Sequence, residues 1–321
     1  MNAIARHIFT HAALIATLAF SACAIGNEDA LDHLTVNDPL FVAAGTNRSI
    51  YVSEDGVSWR EVSNLGTGLY SASAYGKKGF IFAGTDAGGD GYAAQSSDGE
   101  SWNTVVSGAG TPQLRGAAYN NGVYHITTFS SILLSYNGTQ WIDVLTAGNI
   151  LLNLTEGDDI YISSGYSYVY KSSDGNNWSL VTSASGYNFY DVIYAQGLFV
   201  FVGEGGGWGT INTSVDGANI SGRLIPNLTH PTIRAITYGN KRFVAVGQGS
   251  RTWFSDDGYN WNYNDVAAVS LITDITFANG LFAATCSGPG KIILSEDGEN
   301  WTLAQDPPGS FQNLFTITRR P

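Results

Sequence analysis

The chain has 321 residues, of which 44% are hydrophobic and only 13% are charged, a composition that excludes intrinsic disorder and predicts a sizeable packed core. Its formal net charge of -12 argues against nucleic acid or an anionic membrane surface as the main partner, since both require a basic face. Abundant glycine, together with many Ser, Thr, Val and Tyr residues, favours short strands joined by tight turns and therefore an all-β fold.

The first 23 residues predict export. Arg6 gives a positive start, and an apolar run extends from Ala12 to Phe20, too short to span a bilayer but typical of a signal peptide. The tetrapeptide Phe20 to Cys23 resembles a bacterial lipobox, which implies lipid attachment at Cys23. Cleavage at the A-x-A-like Ala22-Cys23-Ala24 would instead release a secreted protein. We predict a signal peptide over 1–23, a tether over 24–32 and localisation to the cell envelope as a lipoprotein.

One short motif recurs seven times at intervals of about 40 residues. The copies, each with the number of its first residue, are SEDGVSW (53), SSDGESW (96), SYNGTQW (135), SSDGNNW (172), SVDGANI (214), SDDGYNW (255) and SEDGENW (295). Before each copy stands an apolar run, a short turn and a second apolar run. One period therefore holds four strands of five or six residues with their turns.

A four-stranded unit repeated about every 40 residues is typical of a β-propeller blade. We predict an all-β fold, a seven-bladed β-propeller of four-stranded antiparallel blades that forms a single domain over 33–321. In the sixth repeat the strands are TIRAITY (232–238), RFVAVG (242–247), TWFS (252–255) and WNYN (261–264). The recurring motif is then the turn between the third and fourth strands, where Ser and Asp side chains accept backbone hydrogen bonds and Gly takes a positive φ. The residues predicted to make these turns are Asp55, Asp98, Asn137, Asp174, Asp216, Asp257 and Asp297.

Two segments compete for the innermost strand of the first blade. LTVNDPLFVAA (34–44) aligns with ITFANGLFAAT (275–285), so the first blade could supply its own inner strand. The tail FQNLFTITRR (311–320) also has the pattern of an inner strand, in which case the ring closes by pairing both ends of the chain. The sequence leaves both interpretations open.

The seven copies resemble the Asp-box, or BNR, repeats of the sialidase-like propeller superfamily, and the resemblance covers nearly all of the chain after residue 33. The family box is S-x-D-x-G-x-T-W, whereas here it is S-x-D-G-x-x-W, with Asn137 in place of Asp in one copy and Ile220 in place of Trp in another. The resemblance implies that these turns lie on the outer rim, remote from any catalytic centre. A sialidase would also need an R-I-P motif near its first blade, and the nearest sequence is Arg223-Leu224-Ile225-Pro226 in the fifth.

The mouth of the central channel, where the inner strands begin, is therefore the predicted ligand site. Arginines there could bind a carboxylate or phosphate, and aromatic side chains could stack on a sugar or a peptide. In a competing interpretation Arg115 and Arg234 form ion pairs with Asp191 and Asp274 between blades and plug the channel. The predicted ligand-binding residues, most at inner-strand starts and the others on nearby loops, are Arg48, Arg115, Tyr190, Asp191, Trp208, Arg234, Arg251 and Asp274.

These features predict a non-enzymatic binding or scaffolding module, monomeric, whose protein or glycan ligand binds at the mouth. The alternative is a glycan-acting enzyme, a sialidase-like hydrolase or a lyase, with its site at the same mouth. We predict no cofactor and no metal, because the five histidines lack zinc-ligand spacing and DAGGDG (86–91) lacks the ligand series of a calcium loop. An open mouth with the arginines, Tyr190 and a free carboxylate would favour the enzyme, and arginines paired to Asp would exclude it.

Overall fold

A computed structural model of the chain describes residues 40–222, 232–267, 269–288, 290–307 and 311–320. The predicted signal peptide and tether lie outside these described residues. All regular secondary structure within the described ranges is β-strand, as the sequence predicts.

The described strands form six antiparallel sheets, five with four strands and one with six. From the innermost strand outward, the four-stranded sheets are β26 (Leu314–Arg319), β1 (Phe41–Gly45), β2 (Ser49–Ser53) and β3 (Arg60–Asn64); β4 (Leu69–Gly76), β5 (Gly79–Thr85), β6 (Gly91–Ser96) and β7 (Asn103–Val106); β8 (Leu114–Asn120), β9 (Val123–Thr128), β10 (Ser131–Ser135) and β11 (Ile142–Thr146); β18 (Ile233–Gly239), β19 (Arg242–Gly247), β20 (Arg251–Ser255) and β21 (Asn262–Asp265); and β22 (Leu271–Ala278), β23 (Leu281–Ser287), β24 (Lys291–Ser295) and β25 (Thr302–Leu303). The six-stranded sheet contains β12 (Leu151–Gly157), β13 (Ile160–Ser172), β14 (Ser179–Ala195), β15 (Leu198–Gly205), β16 (Trp208–Ser214) and β17 (Ser221–Gly222).

The six-stranded sheet accounts for the fourth and fifth repeats together. The first half of β13 pairs with β12, its second half pairs with the start of β14, and the rest of β14 pairs with β15. The two halves of β13 meet at Ser167, whose φ of 62° marks a change of direction. Both long strands therefore contain segments that belong to separate strands in the other repeats. With this sheet divided in two, the described residues are consistent with seven blades.

Apolar clusters fill the spaces between neighbouring sheets. Leu198 and Val200 of β15 belong to one cluster with Phe243 and Trp253 of the next sheet. Another cluster joins the first sheet, through Phe41 and Trp59, to the last, through Ala283 and Leu294. Because each sheet buries its faces against two neighbours and the last packs on the first, the sheets form the closed ring of a β-propeller.

The tail of the chain supplies the innermost strand of the first sheet. Strand β26 pairs with β1 from Phe41↔Arg319 to Gly45↔Leu314. Of the two interpretations of the ring closure, the structure therefore shows the one in which both ends of the propeller pair in one blade. Residues 34–39 of the competing segment lie outside the described residues.

In all seven copies of the recurring motif, the Asp or Asn side chain accepts the backbone amides two and three residues further on. In the first copy the Ser53 hydroxyl accepts the Gly56 N–H at 2.8 Å, and the Asp55 carboxylate accepts the amides two and three residues further on, each at 2.8 Å. Gly56 has a φ of 78°, and the Trp59 indole donates to its carbonyl at 2.7 Å. Asn137 accepts the corresponding amides in the third copy at 2.9 Å. The motif is therefore a hydrogen-bonded turn that precedes the outer strand of its sheet.

Candidate functional site at the central cavity

The innermost strands surround a central cavity of about 300 Å³. Its wall comes from β4, β8, β12, the second half of β14, β18, β22 and β26, one strand from each repeat. Side chains from all repeats therefore meet in one small space on the axis of the ring.

A β-bulge near the start of each inner strand places one extra residue on the cavity wall. At each bulge the register with the second strand shifts by one, so that a single residue has no partner. All of these unpaired residues line the cavity, and their chemistry differs from repeat to repeat. They are Ser71, Arg115, Leu152, Tyr190, Arg234, Thr273 and Phe315.

In the fifth and sixth repeats, the bulge depends on a glycine in the neighbouring second strand. A Cβ at Gly203 would lie 1.8 Å from the carbonyl oxygen of Asn188, and a Cβ at Gly247 would lie 2.1 Å from that of Thr232. Any side chain there would displace the inner strand. The shared endings of LFVFVG (198–203) and RFVAVG (242–247) are therefore a sequence signal that could have located these bulges.

The structure brings most of the predicted site residues together. Those on the cavity wall are Arg115, Tyr190, Asp191, Arg234 and Asp274. Those that do not line the cavity are Arg48, Trp208 and Arg251.

Asp191 is buried and connects the fourth, fifth and sixth repeats. One carboxylate oxygen accepts the backbone N–H of Ile236 in the next repeat at 2.8 Å. The other accepts the N–H of Val192 at 2.7 Å and the side-chain amide of Asn153 from the preceding repeat. Burial raises the pKa of Asp191 to about 6, although these hydrogen bonds act in the opposite direction.

Asp274 makes the equivalent connection where the ring closes. Its carboxylate accepts the N–H of Ile317 at 2.9 Å and the hydroxyl of Thr316 at 3.0 Å, both on the closing strand, and the N–H of Ile275 at 2.8 Å. Burial raises the pKa of Asp274 to about 7, and the charge of Asp191 adds to the rise.

The two carboxylates therefore bind backbone amides rather than arginines. Within the described residues neither Arg115 nor Arg234 forms an ion pair, so the interpretation in which both pair with Asp191 and Asp274 is wrong. Backbone amides of the next blade already donate to both carboxylates, so Asp191 and Asp274 join neighbouring blades.

Arg115 is partly buried with little to balance its charge. One terminal nitrogen donates to the neutral side chain of Gln113 at 2.7 Å, and the guanidinium carbon lies 4.3 Å from the ring centroid of Phe129. Among the described residues its Nε, like that of Arg234, is buried and has no hydrogen-bond partner. Burial lowers the pKa of Arg115, as expected for a cation that leaves water without a counter-charge.

Arg234 has a different environment, built around Tyr190 and Glu204. The guanidinium carbon lies 4.6 Å from the ring centroid of Tyr190, whose hydroxyl donates to Glu204 at 2.9 Å. Glu204 also accepts from Asn188 at 3.2 Å and Thr232 at 3.0 Å, and Arg234 is near enough to help lower its pKa. Burial raises the pKa of Tyr190, and its bond to Glu204 adds to the rise.

Sequence reasoning missed two residues of this surface. Glu204 begins the glycine-rich segment EGGGWG (204–209), and its backbone pairs with Asn188 beside Tyr190. Tyr166 packs edge-on against Tyr190 with the ring centroids 5.9 Å apart. The pairing of β14 with β13 and β15 creates both neighbours, and no local motif indicates it.

The three predicted residues outside the cavity have partners of their own. Arg48 donates to the carbonyl of Leu65 at 2.9 Å and lies over the ring of Tyr92. Arg251 forms an ion pair with Asp265 at 2.8 Å. Trp208 is 41% exposed at the start of β16.

The described residues contain no group of three or more His, Cys, Asp or Glu side chains arranged to hold a metal ion. In the segment 86–91, Asp86 accepts the amides of Gly88 and Asp90 from its own loop. No helix in the described part of the chain is long and apolar enough to cross a membrane.

Comparison with known proteins supports the fold. No protein-family model and no curated protein sequence matches this chain. Among solved structures it is similar to YCF48 bound to D1 peptide, with 15% identity, a TM-score of 0.57 and coverage of 78% of this chain and 92% of that one. It is also similar to the WD40 propeller domain of Doa1 (12% identity, TM-score 0.59, 83% and 89% coverage) and to a streptogramin B lyase (12%, 0.62, 74% and 82%). These likenesses show that the chain has a β-propeller fold.

Proposed function

We propose that this chain is an exported, lipid-anchored β-propeller that acts as a non-enzymatic binding or scaffolding module at the cell envelope. Its protein or glycan ligand binds at the mouth of the central cavity. The observation that carries the proposal is that each inner strand places one bulged residue on the same wall, including Arg115, Tyr190 and Arg234. Because the bulged position carries a different side chain in each repeat, the cavity wall presents several kinds of contact that together could recognise one specific ligand.

A protein ligand has the stronger support. The similar YCF48 structure contains a bound peptide, so this fold can serve that purpose elsewhere. Tyr166 and Tyr187 are 37% and 41% exposed on the sheet that also carries Tyr190, and such amphipathic rings are typical of binding surfaces.

The proposal can be tested by selecting random peptides on the purified mature protein and locating their site with two matched variants. Leu152→Trp would fill the cavity from its wall, whereas Tyr136→Trp would place the same ring on an exposed turn at the opposite end of the strands. The selected peptides should lose binding to the Leu152 variant and keep it with the Tyr136 variant. The reverse pattern would place the ligand on the other face and contradict the proposal.

The lipid anchor has a separate test. Phe20 to Cys23 support cleavage before Cys23 and its acylation. Mass spectrometry of the mature N-terminus should find a diacylglyceryl-modified Cys23. An unmodified residue after Cys23 would exclude the anchor while leaving the binding proposal intact.

One observation favours the enzymatic alternative. Tyr190, Glu204 and Arg234 form a connected group at the mouth, which a hydrolase or lyase could use. However, the raised pKa of Tyr190 opposes its use as a nucleophile, and Asp191 and Asp274 already bind amides. Turnover of a fluorogenic sialoside that is abolished by Tyr190→Phe would establish the alternative, and its absence at high protein concentration would favour the binding module.

A further inference from the structure

We infer that Arg115 is the anion-binding residue of the mouth and that the ligand it recognises is an acidic peptide, whose carboxylate binds the guanidinium. This inference rests on the proposed function, because it names the ligand class of the same site. The sequence predicts four arginines as ligand-binding residues, and this inference assigns the binding of the anion to Arg115 alone.

The other three arginines are already compensated or engaged. Arg251 forms an ion pair with Asp265, and Arg48 donates to a backbone carbonyl while lying over an aromatic ring. Arg234 stacks on Tyr190 and has the Glu204 carboxylate nearby. Arg48 and Arg251 also do not line the cavity. On the cavity wall, an added anion would gain less at Arg234, which has Glu204 nearby, than at a cation for which the described residues supply no acidic neighbour.

Arg115 is such a cation. Within the described residues its one hydrogen bond goes to the neutral side chain of Gln113, and its stacking partner is the uncharged Phe129. Its Nε is buried without a hydrogen-bond partner, as are those of Arg48 and Arg234, so the uncharged surroundings on the cavity wall distinguish Arg115. A guanidinium stays charged at any physiological pH, so this charge remains on the cavity wall. A carboxylate that approached from the cavity could bind the terminal nitrogens of this guanidinium in the bidentate geometry that arginine offers.

The surroundings of Arg115 favour a peptide over an acidic sugar. Tyr166 lies near enough to affect the pKa of Arg115, and the exposed Tyr166 and Tyr187 offer apolar surface for side chains of an extended chain. The bulges also interrupt the register between the inner and second strands beside Arg115 and Tyr190, where the backbone of an extended peptide could approach.

The test uses an array of random decapeptides, probed with the mature full-length chain. Each acidic peptide is paired with a copy in which Asn replaces Asp and Gln replaces Glu. Every peptide is made both with a free C-terminal carboxylate and as a C-terminal amide, so that binding through side-chain carboxylates can be distinguished from binding through the C-terminus. The variants are Arg115→Gln, Arg115→Lys and, as a control, Arg60→Gln. The control removes the same charge from an ion pair with Glu54 and Glu100 away from the cavity wall. Thermal melting of each variant confirms that it folds.

The wild type should prefer acidic peptides over their amide copies about tenfold or more, because a charge-assisted hydrogen bond is lost in each copy. Arg115→Gln should abolish this preference, Arg115→Lys should restore part of it, and Arg60→Gln should keep it. Peptide binding that shows no acidic preference, or a preference that survives in Arg115→Gln, would overturn the inference and leave the proposed function standing. Absence of any peptide binding would count against both. Binding of a sialylated oligosaccharide that depends on Arg115 would show that the ligand is a glycan instead.

Discussion

Replacing Asp55 tests whether the recurring turn is purely structural. The carboxylate accepts two backbone N–H groups at 2.8 Å, and Asp55→Ala removes both bonds. At about 1 kcal/mol for each net hydrogen bond, the variant should lose about 2 kcal/mol of unfolding free energy. Asp55→Asn should lose much less, because Asn137 accepts the corresponding amides in its own copy at 2.9 Å.

Urea denaturation followed by tryptophan fluorescence would measure both variants, with binding of a selected peptide as the second readout. Peptide binding to the folded variants should be unchanged, because Asp55 does not line the cavity. Two results would refute the reasoning. An Asp55→Asn variant as unstable as Asp55→Ala would show that the charge matters rather than the acceptor, and lost binding at unchanged stability would give the turn a functional role.

Three further changes have defined outcomes. Gly203→Ala should cost more than about 3 kcal/mol of stability or prevent folding, since its Cβ would lie 1.8 Å from a carbonyl oxygen. Gly222→Ala should be near neutral, because its Cβ would lie at an ordinary contact distance of 3.8 Å from the Asn212 side chain, and equal melting temperatures for the two variants would contradict this. Burial lowers the pKa of His125 from 6.5 to about 4, so as the pH falls the unfolded chain takes up a proton at this histidine before the folded chain does. Between pH 7 and 4 the wild type should therefore lose about 3 kcal/mol of unfolding free energy relative to His125→Gln. Parallel curves of stability against pH for the two proteins would contradict this. Burial raises the pKa of Asp274 to about 7, so the stability supplied by its protonated form is present below pH 4 and lost as the pH rises through 7. The unfolding free energy of Asp274→Asn should therefore rise by about 3 kcal/mol relative to that of the wild type between pH 4 and 8. A fall relative to the wild type over that range would refute the assignment.

The repeat explains why the fold was predictable from sequence. A motif such as SEDGVSW is local: its Ser, Asp and Gly satisfy one turn within seven residues, so each copy indicates the same structure independently. Ring closure is not local. Both 34–44 and 311–320 have the pattern of an inner strand, and only the pairing of β26 with β1 distinguishes them.

The candidate site was predictable only in part, for a related reason. The start of each inner strand could be aligned, which located Arg115, Tyr190 and Arg234 on one wall. The partners of Asp191 and Asp274 are main-chain amides of neighbouring repeats, and the sequence does not reveal which backbone groups face a carboxylate. A single sequence therefore does not distinguish an aspartate that joins two blades from an aspartate that binds a ligand.

Hydrogen–deuterium exchange with and without a selected peptide would test the central claim most directly, that ligand binds at the mouth of the central cavity. The account predicts protection at the starts of the inner strands, in peptides covering residues 69–73, 113–116 and 187–191. Protection confined to the recurring turns, such as 53–59 and 255–261, would contradict it, because those turns lie outside the cavity wall.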